Sequence, residues 1–213
     1  MPPRRLILLR HGQTQSNLDG IWQGHLDVEL TELGRRQADA AAAQLTAYRP
    51  TTIVSSDLKR AAVTAQAVAR DLSLTVALDP RWREFHVGQW TGKTTAEVIA
   101  MHPAERLAAL RGEEQRRGID GEGPAEVRAR VTPALDELIG RLGEGERAII
   151  VSHGGTIRVL AAVLLGLDML TATRLLTTPG NCQWADLVQA PAGWRLAGWN
   201  LRAPDLGAGE VSG

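Results

Sequence analysis

The amino-acid sequence predicts an α/β fold, a three-layer α/β/α sandwich with a mainly parallel sheet and a small cap segment. Strand-like and helix-like segments alternate along the chain, as in a sheet whose parallel strands are joined by crossover helices. The runs RLILL (residues 5–9) and AIIVS (148–152) are almost entirely apolar, which indicates strands buried on both faces. The alanine-rich stretch from Thr31 to Ala47 is typical of a helix that packs on such a sheet.

The first half of the chain is predicted to hold three strands and two helices. Thr31 can cap the first long helix by accepting a backbone hydrogen bond, and Pro50 follows soon after its end. Asp57 is predicted to cap the second helix, which runs to about Leu72. The three strands are expected at residues 5–9, 52–55 and 74–78.

The second half opens with an irregular segment, residues 82–123, which is predicted to form a cap over one edge of the sheet. Within it, residues 94–110 look helical but are interrupted by Pro103, and the charged, glycine-rich residues 111–123 are predicted to form a loop. Pro124 suits the first turn of a helix that reaches Leu142. A strand at 148–152, a helix at 156–165 and a hairpin of strands at 184–188 and 194–199 follow.

Length and composition favour one domain over residues 1–213, with a mobile Gly- and Pro-containing tail at 203–213. The 24 basic residues balance the 24 acidic ones, so no broad field would attract nucleic acid or an anionic membrane. The apolar runs are too short for a signal peptide or a membrane span, so we expect a cytoplasmic protein. Cys182 is the sole cysteine, which excludes an intrachain disulfide and a paired-cysteine zinc site.

Two predicted strands end in the same unusual way. RLILL is followed by Arg10-His11-Gly12, and AIIVS is followed by His153-Gly154-Gly155. Ligands of open α/β sheets bind beyond the carboxyl ends of the strands, so both histidines meet at one rim if the strands are parallel neighbours. The glycines are expected to let backbone N–H groups approach a ligand, and the positive N-terminal end of the helix after Gly155 favours an anion.

Two more residues fit a phosphate at this rim. Arg60, in the first turn of the helix after Asp57, could aim its guanidinium at phosphate oxygens, or it could simply be solvated. Glu84 could be a salt-bridge partner of a neighbouring arginine, or a carboxylic acid whose pKa is raised by burial and nearby anions. Together they predict a reaction in which a neutral imidazole attacks phosphorus while a protonated glutamate gives its proton to the leaving oxygen. Water then hydrolyses the phosphohistidine, and no metal or cofactor is required.

The blocks LLRHGQTQSN, SSDLKRAAVTA, WREFHVGQWTG and VSHGGTIR occur in this order and resemble the signature of the histidine phosphatase superfamily, the phosphoglycerate-mutase-like fold. The resemblance covers roughly residues 4–165. It implies that His11 is the phosphorylated nucleophile and that Glu84 is the proton donor. It also implies a phosphate pocket formed by Arg10, Arg60 and His153. Asn17 would add a hydrogen bond to the phosphate, and Gln23 would face the substrate.

Three further blocks, WQGHLDVELTELG, PGNCQWADL and WRLAGWN, are similar to those of actinobacterial glucosyl-3-phosphoglycerate phosphatases. This likeness extends to about Asn200 and implies a small-molecule substrate, a sugar-phosphoglycerate ester. Phosphoglycerate, a nucleotide monophosphate and a phosphosugar stay open. Residues 120–123 read Asp-Gly-Glu-Gly where many relatives have Gly-Gly-Glu-Ser, so the contacts of that loop do not carry over.

A phosphoglycerate mutase is the main competing function, since it uses the same histidine chemistry. Mutases of this family carry a longer cap insertion and a Tyr-Gly-Gly-rich stretch after the glutamate, whereas this chain has a short cap and FHVGQWTG. The sequence therefore favours the phosphatase. Arg116 and Arg117 stay open as a second phosphate site or a solvated charge run.

A metallohydrolase and a catalytically silent binding module fit the sequence less well. His11, His25, Asp27 and His153 could be imagined as metal ligands, but no paired spacing such as HExxH supports a metallohydrolase. A binding module without catalytic activity would have no use for the acid Glu84. The tryptophan- and leucine-rich C-terminal third could supply a homodimer interface.

Overall fold

The computed structural model describes residues 2–111, 113 and 116–204, and within them six strands form one sheet that is covered by helices. The strands are β1 (Arg5–Arg10), β2 (Thr52–Ser55), β3 (Val76–Leu78), β4 (Arg147–Ser152), β5 (Trp184–Ala190) and β6 (Gly193–Leu201). The α-helices are α1 (Gln15–Leu18), α2 (Glu32–Leu45), α3 (Lys59–Arg70), α4 (Thr95–Met101), α5 (Pro103–Leu110), α6 (Pro124–Arg141), α7 (Gly154–Leu165) and α8 (Met169–Leu175). Short 3₁₀ helices occupy Thr46–Tyr48, Pro80–Trp82 and Gly88–Trp90.

The sheet is mainly parallel, as predicted. Its strand order is β3-β2-β4-β1-β5-β6; the first four strands pair in parallel, whereas β5 and β6 are antiparallel to their neighbours. In the β1–β4 pair, Arg10 lies opposite Ser152, so the two strands end side by side. The expectation that the two histidine-bearing strands are parallel neighbours is confirmed.

Helices cover both faces of the sheet because successive side chains of a strand point to opposite faces. Leu6 and Leu8 of β1 pack in one apolar cluster with residues of α6 and α7, whereas Ile7 and Leu9 pack in the other with α2 and α3. All four side chains are fully buried. The predicted three-layer α/β/α architecture is therefore confirmed.

The prediction that Asp57 caps α3 is wrong. The N-cap is Leu58, whose side chain makes no capping bond, and Asp27 takes the capping role by accepting from the Lys59 N–H at 2.7 Å. The Asp57 carboxylate instead accepts two hydrogen bonds from the Arg83 guanidinium, at 2.7 and 2.6 Å. A bidentate, charge-assisted pair is stronger than a cap to a neutral N–H group, so Asp57 ties the start of α3 to the segment around Arg83.

Helix α8 was not predicted from the sequence. Asp168 caps it by accepting from the Thr171 N–H at 2.8 Å, and its buried residues are Met169 and Ala172. Seven residues are too few for a helical period to stand out, and a helix this short depends on packing for its stability. Strand β3 is also shorter than the predicted 74–78.

The described part of the cap segment, residues 82–111, 113 and 116–123, lies over the carboxyl ends of β1 and β4. It contains α4 and α5, and the side chains of Trp82 and Trp90 are buried. The Ser152 hydroxyl donates to the carbonyl of Trp82 at 2.7 Å, and the Trp90 ring packs edge-on against Trp22 with centroids 5.0 Å apart. These contacts join the cap segment to the rim of the sheet.

The predicted mobile tail begins too early, because the side chain of Ala203 is buried. Residues 205–213 lie outside the described residues, as do 112, 114 and 115 of the predicted loop. The assignment of the whole chain to one domain stays a prediction.

Among the described residues, no single helix is both long and apolar enough to cross a membrane. Helices α7 and α8 reach that length and composition only together, across a bend of 113°, and most residues of α7 are buried in the protein core.

Gly12 and Gly34 let the loop after β1 touch helix α2 backbone to backbone. A Cβ atom on Gly12 would lie 2.3 Å from the Gly34 carbonyl oxygen, and one on Gly34 would lie 2.1 Å from the Gln13 carbonyl oxygen. The Gly12 N–H donates to the Thr64 hydroxyl at 3.0 Å. The expectation that this N–H approaches a ligand is therefore wrong, and the glycine is needed for close packing.

We expect Gly34→Ala to destabilise the fold by about 1–3 kcal/mol, because the added methyl overlaps backbone atoms that cannot move freely. Alanine is otherwise the better helix former by about 1 kcal/mol, so the matched control is Gly140→Ala in α6. An added Cβ on Gly140 meets nothing within 4 Å, so this control should be neutral or slightly stabilising. Thermal unfolding of both variants tests this, and a shift of Tm in the same direction for both would contradict it.

Candidate active site

The carboxyl ends of β1 and β4 open into a cavity of about 370 Å³. Six of the eight site residues predicted from the sequence line this cavity: Arg10, His11, Asn17, Gln23, Arg60 and Glu84. The other two, His153 and Gly154, are buried beside it. The parallel pairing of β1 with β4 explains this grouping, because the residues that follow the two strands must share one rim.

His11 is held as a neutral imidazole with one nitrogen free. Its Nδ1 lies 2.7 Å from the carbonyl oxygen of Gly12, and because a carbonyl can only accept, the ring hydrogen must be on Nδ1. Burial, together with the positive charges of Arg60 and Arg10, lowers the pKa of His11 well below its usual range. The Nε2 lone pair is therefore available at neutral pH, as a nucleophile requires.

His153 lies beside His11, with ring centroids 5.1 Å apart. Its Nε2 is 2.9 Å from the Ser56 hydroxyl, which itself accepts the Leu58 N–H at 3.3 Å. A hydroxyl can donate as well as accept; when it donates to Nε2, the imidazole hydrogen of His153 lies on Nδ1. That Nδ1 is buried and has no hydrogen-bond partner among the described residues.

Arg10 and Arg60 are fixed by neutral groups rather than by carboxylates. Arg10 Nη1 donates to the Pro179 carbonyl at 2.6 Å, and Arg60 donates from Nη1 to the Leu26 carbonyl at 2.6 Å and from Nη2 to the Gly24 carbonyl at 2.8 Å. Burial lowers the pKa of Arg60 to about 10, so it stays cationic at neutral pH. Neither arginine forms an ion pair within the part of the chain that the structure describes. Arg10, Arg60 and Arg117 line the cavity against one carboxylate, Glu84, so the rim carries a net positive charge.

Glu84 is bound as a carboxylate at the N-terminus of α7. Its oxygens accept from the backbone N–H groups of Phe85, Gly155 and Thr156, at 3.0 to 3.1 Å. Burial by itself raises the pKa of Glu84, but the Arg117 guanidinium and these N–H groups outweigh it, so the pKa lies below its ordinary value. The predicted raised pKa is wrong for this arrangement. A Cβ on Gly155 would lie 2.8 Å from Glu84 Oε1, so glycine is needed there for the approach of the carboxylate.

Asn17 presents its amide nitrogen toward the cavity. The Thr14 N–H, which can only donate, lies 3.0 Å from Oδ1 of Asn17, and this contact identifies the oxygen. Nδ2 makes no hydrogen bond within the described residues. Gln23 lines the same wall, with its Oε1 3.1 Å from the Thr14 hydroxyl. The wall therefore offers one fixed amide donor next to His11.

Gly154 makes room for other cavity residues. A Cβ atom on it would lie 2.5 Å from Cγ2 of Thr178 and 3.6 Å from Nε of Arg10. Thr178 lines the cavity and was not predicted from the sequence, because nothing in a short loop between α8 and β5 marks it as close to His11.

The pair Arg116–Arg117 is split by the fold. Arg117 lines the cavity and stacks on the Phe85 ring, with Cζ 3.6 Å from the centroid, and burial lowers its pKa to about 10. Arg116 instead forms an ion pair with Glu126 at 3.0 Å and is largely exposed. The sequence left the pair open, since two adjacent arginines in an irregular segment give no sign of which one faces inward.

A metal site formed by His11, His25, Asp27 and His153 finds no support in the geometry. Among the described residues, no three or more His, Cys, Asp or Glu side chains lie close enough together to hold a metal ion. His25 contacts the Glu84 carbonyl through Nε2 at 2.8 Å and packs edge-on against His86, with centroids 5.3 Å apart.

Comparison with known proteins gives the same family as the motifs. A glucosyl-3-phosphoglycerate phosphatase of Mycolicibacterium vanbaalenii is 40% identical over 95% of this chain and 97% of its own. A probable phosphoglycerate mutase of Enterobacter sp. is 32% identical over 98% of this chain and 94% of its own. The structure of a mycobacterial glucosyl-3-phosphoglycerate phosphatase in complex with VO3 is similar at a TM-score of 0.86 and 42% identity, over 92% of this chain and 98% of that one.

The family model of the histidine phosphatase superfamily (branch 1) matches residues 6–202, which include every residue of the cavity. The resemblance drawn from the four sequence blocks is thereby confirmed. The chain belongs to the histidine phosphatase superfamily.

Proposed function

We propose that this protein hydrolyses a phosphate monoester through a phosphohistidine on His11, and that its substrate is glucosyl-3-phosphoglycerate or a closely similar phosphorylated acid. One observation carries the proposal: a neutral imidazole with its Nε2 lone pair available lies near two fixed guanidinium groups that form no ion pair among the described residues. A nucleophile beside a net positive charge suits the attack on a phosphate dianion.

In the first step, Nε2 of His11 forms a bond to phosphorus while the bond from phosphorus to the ester oxygen breaks. The charge on the equatorial oxygens is stabilised by Arg10 and Arg60. Positive charge that develops on the imidazole is stabilised because Nδ1–H donates to the Gly12 carbonyl at 2.7 Å. The leaving oxygen takes a proton from Glu84 and departs as an alcohol.

Glu84 must be protonated for that step, although its carboxylate is stabilised by Arg117 and by backbone N–H groups. A bound phosphate brings negative charge close to the carboxylate, and a nearby anion raises the pKa of a carboxyl group. We therefore propose that Glu84 is ionised in the free protein and becomes protonated when the substrate binds. In the second step the carboxylate takes a proton from water, the water oxygen bonds to phosphorus, and His11 regains its Nε2 lone pair.

Further residues are proposed to hold the phosphate and the substrate. Asn17 would donate from Nδ2, and His153 would donate from the buried Nδ1 that has no partner among the described residues. Gln23 lies on the same wall and would face the substrate. Gly154 would supply a backbone N–H at the start of α7, where the helix dipole favours an anion.

The substrate proposal is supported by the relatives and by the far side of the cavity. The phosphatase relative is 40% identical to this chain and the mutase relative 32%, so hydrolysis is favoured over phosphoryl transfer. Arg117 lines the wall together with Trp22, and its guanidinium can pair with a second anion of the substrate. A phosphoglycerate ester carries such an anion, a carboxylate.

We also propose a cytoplasmic location and a homodimer. Strand β6 is at one end of the sheet, and edge strands can pair with a second copy. Size-exclusion chromatography with light scattering would measure the oligomeric state.

We expect the wild type to release phosphate from glucosyl-3-phosphoglycerate with EDTA present, and His11→Ala to lose at least about 10⁴-fold in kcat, because the nucleophile is gone. Glu84→Gln should lose about 10²–10⁴-fold, the usual contribution of a general acid. His102→Ala, an imidazole outside the cavity, is the matched control. Conversion of 3-phosphoglycerate to its isomer without phosphate release would favour the mutase, and full activity of His11→Ala would reject the mechanism.

We expect Arg117→Ala to raise KM for phosphoglycerate esters by about 10- to 100-fold, the range for losing a hydrogen bond to a charged group. An aryl phosphate lacks the second anion, so its KM should change much less. Arg116→Ala is the matched control, since that side chain points to Glu126. Equal losses for both substrates would mean that Arg117 acts only through Glu84.

We expect anion binding to transfer a proton to Glu84. The pKa of this carboxyl is lowered in the structure, so at about pH 5 to 6 it is ionised, and a bound dianion should raise the pKa through that range. Sulfate does not itself titrate there, so calorimetry in two buffers of different ionisation enthalpy would measure uptake of up to one proton. Glu84→Gln should abolish the uptake; if uptake persisted in that variant, a histidine would be the proton acceptor.

A further inference from the structure

One side chain of the loop between α8 and β5, that of Asn181, contacts both His11 and Asn17. Asn181 donates from Nδ2 to the carbonyl oxygen of His11 at 3.1 Å and to Oδ1 of Asn17 at 3.1 Å. The His11 carbonyl can only accept, so the atom that faces it must be the amide nitrogen. The two hydrogens of this NH₂ group therefore go to the nucleophile's own backbone and to the neighbouring amide.

These bonds decide which way the Asn17 amide faces. Its Oδ1 accepts from Nδ2 of Asn181 and from the backbone N–H of Thr14 at 3.0 Å, both of which can only donate. A flipped amide would place NH₂ against two donors and its oxygen toward the cavity. That arrangement would lose two hydrogen bonds and turn an acceptor toward an anionic ligand.

The loop itself is held against the end of β1. The N–H of Arg10 donates to the Gln183 carbonyl at 3.0 Å, and the N–H of Cys182 donates to the His11 carbonyl at 3.3 Å. The Gly180 N–H donates to Oε1 of Gln183 at 2.9 Å. Asn181 is thus carried by a backbone that is bonded to Arg10 and to His11, the residue that its own side chain contacts.

We infer that Asn181 is a positioning residue, which fixes the Asn17 amide with its NH₂ toward the bound phosphate and fixes the backbone of His11. This inference rests on the proposed function only in that the cavity takes a phosphate. Asn181 does not line the cavity, so it acts on the phosphate through Asn17.

A double-mutant cycle with Asn17 tests the inference, with the Kd of inorganic phosphate from calorimetry as the measure. Asn181→Ala should weaken phosphate binding by up to about tenfold, the usual range for one neutral hydrogen bond. In an Asn17→Ala background the same change should cost less than about twofold, since there is no amide left to orient. Equal costs in the two backgrounds, or no cost in either, would overturn the inference.

Asn181→Asp, which keeps the size of the side chain, is the second variant. Its carboxylate would face two acceptors, the His11 carbonyl and Oδ1 of Asn17, and repel both, so phosphate binding should weaken more than in Asn181→Ala. Binding as tight as in the wild type would overturn the inference, and the isosteric variant keeps the test available if Asn181→Ala unfolds. Binding of inorganic phosphate can be measured without catalysis. If the proposed hydrolysis is wrong, the protein would bind inorganic phosphate but would release none from an ester, and this result would leave the test of Asn181 intact.

Discussion

The arrangement of the site depends on the burial of two guanidinium groups, those of Arg10 and Arg60, beside the imidazoles of His11 and His153. Removing a charge from water costs several kcal/mol even after relaxation, and Arg10 and Arg60 meet this cost with backbone carbonyls instead of carboxylates. These carbonyls accept from Nη1 of Arg10 and from both terminal nitrogens of Arg60, but they leave the positive charge in place. The same charge keeps both histidines neutral, because it lowers their pKa values beyond the effect of burial. One arrangement thereby supplies a strong anion site and a free imidazole nitrogen.

Glu84 fits this arrangement because, among the described residues, it is the one carboxylate that lines the cavity. The N-terminus of α7 and Arg117 hold it ionised, and an incoming phosphate competes for the same positive surroundings. In the proposed mechanism the acid and the ligand are therefore coupled through charge, because the binding of phosphate raises the pKa of Glu84 and supplies the proton that the leaving oxygen takes. A carboxyl group kept neutral by burial alone would lack this coupling.

The sequence predicted the parts of the site that follow regular structure. Arg10, His11 and His153 lie at the ends of strands whose apolar runs are unambiguous, and parallel pairing then places them at one rim. Residues on irregular segments could not be placed in this way: Thr178 and Asn181 lie in the loop after α8, a helix that itself was not predicted. The pKa of Glu84 was predicted with the wrong sign because its backbone partners at Gly155 and Thr156 are 71 and 72 residues away in the chain.

The difference between regular and irregular segments corresponds to a difference in function between two halves of the cavity. The phosphate half of the cavity is built from strand ends and helix starts, whereas the other half comes from the cap segment and two loops that supply Trp22, Arg117 and Thr178. Loops tolerate sequence change better than the core that carries them, so the leaving-group side can vary while phosphate chemistry is retained. Relatives named as phosphatases and as mutases both align with nearly all of this chain, as expected if their differences lie in that second half. In the inference drawn for Asn181, a residue of one of these loops orients an amide on the proposed phosphate side, and a change in that loop would then alter phosphate binding as well as substrate specificity.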